Sequence, residues 1–516
     1  MSVLRAAAIF SDHMVLQRGK PVKVWGMDYP NRTVTVEIDG RKAASSVKDN
    51  KWEVTLPPFE SYGGSYEMTV SDGIDSVVYR DIIIGEVWLA GGQSNMELEL
   101  QSCSTGHEEL EHISESGKNV RFYYTPKNPY KDDFFYAQER DTCWSLSDRE
   151  NSKCWSAVGY YFAKRLSAEL NCTVGVIGCN WGGTSASNWI SHERLCCNSD
   201  TKSYVDEYDK AMEGKTFEDY LEDLEEYRRW EAEWQPKINE YYSLHPDGSW
   251  DEAQEYAGSL SRWPEPLGPK SPFRAAGLYE TMLMRVCPYT LAGFIYYQGE
   301  SDDHKPQMYA KLFSMLIEQW RSDWNDDGLP FICVQLPMFI NKGEEDRKNW
   351  CLIREAQMHV HQTTANTGIA VILDCGEYGN IHPVNKVPVG DRLALQALAN
   401  VYGTISPEDA YGPIYRCCYP VGDSMAVRFD YSDGMYVVGE DGTRRNFGNI
   451  DGFEISGADG VYYPAEAELK EDGTVIVRSD KVTEPVNVRF MWVNYGNVTL
   501  FNKNGIPAAP FRSNRK

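Results

Sequence analysis

Along residues 1–80 the apolar positions fall in short alternating or β-branched runs, Val22–Trp25, Thr33–Ile38, Trp52–Leu56 and Tyr66–Val70. Gly, Pro, Asp and Asn separate them, so this stretch is predicted to be a small β-sandwich-like module. The pattern then changes. Ile82–Ala90, Thr173–Gly178, Leu291–Tyr297, Phe331–Leu336 and Ile369–Leu373 are apolar throughout. Helical periods lie between them, at Ala157–Leu166 and Met308–Trp320. Strands without a polar face, alternating with helices, predict a parallel sheet covered on both sides, over about 81–404. Within it, residues about 200–272 read as a helical insertion. Phe217, Tyr220, Leu221, Leu224, Tyr227, Trp234, Ile238 and Tyr241 recur every three or four positions there. That stripe is expected to be the insertion's packing face, with a lid over a site as the second reading. From Gly412 the period returns to two, at Met425–Phe429, Thr474–Arg478 and Val486–Trp492, so 405–516 is a second β module.

Composition narrows the function. A net charge of -25 argues against nucleic acid, whose phosphates demand clustered Lys and Arg, and against anionic membranes. No segment approaches the roughly 20 apolar residues that span a bilayer. The run Ala6–Phe10 is too short for a signal-peptide core, so a cytoplasmic location is expected for the sequence as given, a leader already removed being the other reading. The thirteen cysteines are odd in number, lack C-x-x-C and show no zinc spacing, which predicts mostly buried free thiols and no metal site.

In parallel sheets ligands sit beyond the carboxyl ends of the strands. Four such ends here carry a polar, glycine-flanked cluster. The first is Gly91-Gly92-Gln93-Ser94-Asn95-Met96, where a Ser at a sharp turn is a nucleophile or a helix cap. The second is Asn180-Trp181-Gly182-Gly183-Thr184, an anion-holding turn or a plain tight one. The third is Gln298-Gly299-Glu300-Ser301-Asp302, in which Gln298 is a possible donor to an oxyanion and Glu300 an orienting or capping carboxylate. The last is Asp374-Cys375-Gly376-Glu377-Tyr378-Gly379-Asn380-Ile381-His382-Pro383. Of nine histidines only His382 follows an apolar strand end in such a loop, making it the candidate base for Ser94.

These four blocks, with Gly85-Glu86-Val87-Trp88, Phe10–Arg18, Lys386, Arg392–Leu395 and the closing Gly505–Arg512, resemble the sialate O-acetylesterase family of SGNH hydrolases. The resemblance runs over nearly the whole chain. It implies an α/β, flavodoxin-like three-layer SGNH domain with flanking all-β sandwich-type modules, no cofactor, and an acetylated carbohydrate as substrate. Carried over, it makes Ser94 the nucleophile and His382 the base, and the oxyanion hole is drawn from Ser94, Gly182, Gly183 and Gln298. Gln93, Asn95, Glu300 and Glu377 become orienting or substrate-binding candidates. The superfamily's Asp three residues before the His is Gly379 here. Asp374 is therefore expected as the acidic member, with Glu377 or a simple Ser–His dyad as alternatives. Sialate 9-O-acetyl esters are the expected substrate, and acetylated xylan or mannan the alternative. A glycoside hydrolase using Glu300 and Asp302, or a non-catalytic carbohydrate-binding protein, would leave Ser94 and His382 without a task. Oligomeric state is not legible.

Overall fold

The computed structural model describes residues 4–245, 248, 250–258, 262, 264–439 and 441–514. At its centre is a mixed sheet of α/β type, with further all-β sheets beside it. The parallel strands are β1 (Ser76–Gly92), β2 (Val120–Tyr124), β3 (Val174–Asn180), β4 (Gly293–Tyr297), β5 (Phe331–Gln335) and β6 (Thr367–Val371). Their spatial order is β2-β3-β1-β4-β5-β6, every neighbouring pair parallel. The strand order reverses around β1, the kind of switch point where such sheets open a crevice. In register, Gly92 of β1 is level with Asn180 of β3 and Tyr297 of β4, so three loops start from one rim.

The strand β2 was not visible in the sequence, because Arg121 interrupts its apolar run. The guanidinium turns back to the Asp81 carboxylate, 3.1 Å away, and donates to the backbone carbonyls of His13 and Asp81. The long strand β1 has two jobs. Its first half pairs with Gly63–Ser71 and, in parallel, with Val15–Gln17, while its second half forms the middle of the parallel sheet. A boundary drawn at 80 therefore falls inside one strand. The residues Arg5–Ala6, Val22–Met27 and Lys51–Leu56 form a separate three-stranded sheet, and residues after 413 fold into sheets of five, three and four strands.

The helices are α1 (Ala157–Leu170), α2 (Phe217–Leu244), α3 (Trp250–Ala257), α4 (Tyr309–Trp324), α5 (Asn349–Thr363) and α6 (Val387–Ala397), of which α1, α2 and α4 follow the predicted periods. Ser156 caps α1 by accepting the Gly159 N–H at 3.0 Å. Gly390 lets α6 lie against α1, since a Cβ there would sit 2.6 Å from the Tyr161 Cβ. In the insertion, α2 starts with a capping box between Thr216 and Asp219. Its face Tyr220, Leu224, Tyr227, Trp234, Ile238 and Tyr241 is buried, and Trp234, Ile238 and Tyr241 form a small core with Ala253 and Ala257 of α3. Leu221, expected in that stripe, is exposed instead. The thirteen cysteines are all free, but only six are buried, fewer than predicted.

Candidate active site

Strand β1 ends at Gly92, whose φ of 137° and close approach to β4 leave no room for a side chain. A Cβ there would lie 2.1 Å from the Tyr297 carbonyl oxygen. One helical turn, Ser94–Glu97, follows. It is pinned from below by the Ser156 hydroxyl, which donates to the Met96 carbonyl at 2.5 Å. Ser94 thus sits at the rim of the central strand, and His382 meets it there: the imidazole Nε2 lies 2.9 Å from Ser94 Oγ. The two residues are 288 positions apart in the chain.

The His382 loop is ordered by its own polar residues. The Asn380 side chain accepts the His382 N–H at 3.1 Å and donates to Glu377 Oε2 at 2.7 Å. Glu377 Oε1 accepts the Val384 N–H at 2.9 Å. Glu377 therefore acts on His382 through the loop. Asp374, expected as the acidic partner, is committed elsewhere. Both its oxygens grip the Arg392 guanidinium, at 2.5 and 2.7 Å, and Arg392 in turn braces the Val371 and Gly505 carbonyls. The reason is charge: a buried guanidinium beside that loop claims the nearest carboxylate with a bidentate pair.

The predicted oxyanion donors divide. The Gly182 N–H is taken by Glu97 Oε2 at 2.5 Å, and Glu97 also pairs with Lys127. The Gln298 amide nitrogen is likewise engaged, donating to Asp302 Oδ2 at 2.7 Å and to Gln93 Oε1 and the Thr184 carbonyl at 3.2 Å each. Its oxygen accepts from Tyr309 at 3.0 Å. Gln298 is thus a tie between loops. By contrast, among the described residues neither the Ser94 nor the Gly183 N–H donates to another group. Gly183 has φ 74°, and its neighbour Gly182 lies so close that a Cβ there would be 3.3 Å from the Ser94 Cβ. The Gly182–Gly183 turn is therefore packed beside the Ser94 side chain.

Beneath the pair lies a polar cluster. Asn95 is fully buried, and its Nδ2 donates to Glu300 Oε1 at 2.7 Å and to the Ile381 carbonyl at 2.9 Å. Its oxygen accepts from Lys386 Nζ at 2.5 Å. Burial pushes the Glu300 carboxyl up to about 7, against the Asn95 hydrogen bond, and pulls Lys386 down to about 8 in spite of Glu300. Burial, with the Lys386 charge adding to it, lowers His382 to about 4, so the imidazole is neutral at neutral pH. Asp302, singled out in the sequence only as half of a carboxylate pair, is wholly buried and bonded to Ser185, Ala186 and Gln298. With Glu300 buried as well, these two carboxylates do not face a cleft across which a sugar bond could lie. Among the described residues no group of three His, Cys, Asp or Glu could hold a metal ion, and no helix is long and apolar enough to cross a membrane.

A hydroxyl hydrogen-bonded to a neutral imidazole, with unclaimed N–H groups alongside, is the equipment of acyl transfer. Fold and family likeness together define a carboxylic ester hydrolase. A family model described as carbohydrate esterase, sialic acid-specific acetylesterase, matches residues 257–398. Sialate O-acetylesterase of Mus musculus is 27% identical over 77% of this chain and 74% of its own length. That of Homo sapiens is 25% identical over 77% and 71%. A carbohydrate acetylesterase from Xanthomonas citri superposes with a TM-score of 0.76 at 28% identity, covering 99% of this chain and 100% of that one. The chain is thus similar to sialate O-acetylesterases and carbohydrate acetylesterases, the proteins its motifs resemble.

Proposed function

We propose that the chain is a carbohydrate O-acetylesterase of the SGNH type, acting on acetyl esters of sugars and in first place on 9-O-acetylated sialic acid. On this reading residues 81–404 are a flavodoxin-like catalytic domain between two β modules. Ser94 attacks the acetyl carbonyl while His382 takes its proton. The N–H groups of Ser94 and Gly183 hold the oxyanion. His382 then protonates the leaving sugar hydroxyl, and water, deprotonated by the same imidazole, hydrolyses the acetyl-enzyme. With Asp374 on Arg392, the imidazole is oriented through its loop, by Asn380 and Glu377. The observation that carries the proposal is the 2.9 Å contact between Ser94 Oγ and His382 Nε2.

The test is acetate release from O-acetylated sialic acids, acetylated xylan and acetylated mannan oligosaccharides, with Ser94→Ala as the control. The expected result is turnover fastest on the sialic acid and lower in the variant by a factor on the order of 10⁴–10⁶. Wild-type turnover in Ser94→Ala would end the proposal. Faster release from xylan or mannan would keep the chemistry and replace the substrate.

A further inference from the structure

The Asn95 carboxamide ties the nucleophile turn to two other loops of the site. It belongs to the residue after Ser94, and its three hydrogen bonds go to the loop after β4 and to the loop before α6. Lys386, just before α6, gives to its oxygen, and Glu300, in the loop after β4, takes from its nitrogen. The same nitrogen holds the carbonyl of Ile381, the residue before His382. Lys386 and Glu300 are 1% and 5% exposed and do not touch each other directly; the amide stands between cation and anion. Glu300 Oε2 has no hydrogen-bond partner among the described residues.

Taking two charges out of water is costly, and apolar residues of the same volume usually hold a fold as well or better. A cost accepted at this spot therefore points to a task at this spot. We infer that the Lys386–Asn95–Glu300 bridge is a positioning device, which fixes the nucleophile turn against the His382 loop and balances the charge beneath the imidazole. The inference rests on the proposed roles of Ser94 and His382. The groups facing Lys386 are Glu300, Glu377, Cys375, Cys103 and the Tyr297 ring. Glu300 faces Asp302 as well as Lys386, and His382 faces Lys386.

The charge arrangement makes the two ends of the bridge separable. Without Lys386 the imidazole loses a nearby cation, so it binds a proton more readily. Glu300, raised to about 7, already carries a proton where His382 titrates, so removing its carboxyl leaves that titration in place. The experiment is steady-state hydrolysis of 4-nitrophenyl acetate across pH by wild type, Lys386→Met and Glu300→Gln, with rates normalised to the fraction of Ser94 labelled by a fluorophosphonate. Both variants are expected to lose about 10- to 100-fold in kcat through misplacement. KM is expected to stay within about threefold. In Lys386→Met the acid limb of kcat/KM is expected about one unit higher than in wild type. In Glu300→Gln it is expected not to rise. Wild-type kcat in either variant overturns the inference, and so do losses in both with the acid limb unmoved, since a merely structural role predicts those. Should Lys386→Met fail to fold, Lys386→Gln, which removes the same charge, decides by the same criteria. A wild-type protein without Ser94-dependent hydrolysis would instead overturn the proposed function.

Discussion

Acidification gives a direct reading of the environment of His382. A free imidazole takes its proton near 6.5, whereas burial and then the Lys386 charge bring His382 to about 4. At about pH 5 an imidazole of the ordinary kind is only about 3% neutral, but one with a pKa of about 4 is about 90% neutral, roughly a 30-fold difference in competent base. The expected outcome is that kcat/KM for acetate release holds close to its plateau at about pH 5 and reaches half of it near 4. Stability should respond at higher pH than activity does. Between about 4 and 6.5 the unfolded chain binds a proton at this residue that the folded chain refuses, so the His382 contribution to stability falls as pH falls through that window. The assay is initial acetate release at substrate well below KM from about pH 3.5 to 8, paired with thermal melts in the same buffers. A kcat/KM already halved near 6.5, with a melting temperature indifferent to pH in that range, would refute the argument.

Three substitutions separate chemistry from support. Asp374→Asn weakens a bidentate pair on a buried Arg392, so it should cost about 3 kcal/mol by denaturant melts. Its kcat should stay within about threefold, and a loss above about 100-fold in folded protein would restore Asp374 as the partner of His382. Gln298→Met strips a donor from Asp302, Gln93 and Thr184 together, and should lower stability by about 2 kcal/mol as well as turnover. A loss of turnover with unchanged melting would instead mark Gln298 as an oxyanion donor. Gly183→Ala keeps the N–H but forces a side chain into a φ of 74°, at about 1 kcal/mol, and should lower kcat more than it raises KM.

What the sequence made legible follows from what it encodes locally. Unbroken apolar runs gave five of the six parallel strands, and the heptad-like spacing of Tyr220, Leu224, Tyr227, Trp234, Ile238 and Tyr241 gave the insertion helix with its buried face. Ser94 and His382 could be matched because few residue types perform their chemistry and each lay just past a strand end. The partner of each polar atom was not legible. Gly182 looks as good a donor as Gly183 until Glu97 reaches across 85 positions to claim its N–H. Gln298 looks free until Asp302, Gln93 and Thr184 are found around it. Lys386 stood in a motif without a role, because its tie to Asn95 spans 291 positions. Periodicity reports which face of an element is buried and carries no information about such distances.

The same long strand shows how to sort the remaining polar residues of these motifs. Glu86 is buried near its middle and accepts from Gln17 at 2.7 Å, Tyr62 at 2.8 Å and Tyr402 at 3.0 Å. It is as buried as Glu300 and has more partners, yet six residues of extended chain separate it from Gly92, about 20 Å at the rise of a strand. A carboxylate that far from the rim cannot touch the reacting atoms. It gathers instead the Val15–Gln17 strand, the Tyr62 loop and the segment after α6 around the base of β1. Burial and a full set of partners therefore do not by themselves mark a residue for chemistry. Distance along the strand does the sorting. By that measure the Gly85–Trp88 block anchors the strand, and only what lies beyond Gly92 faces an ester.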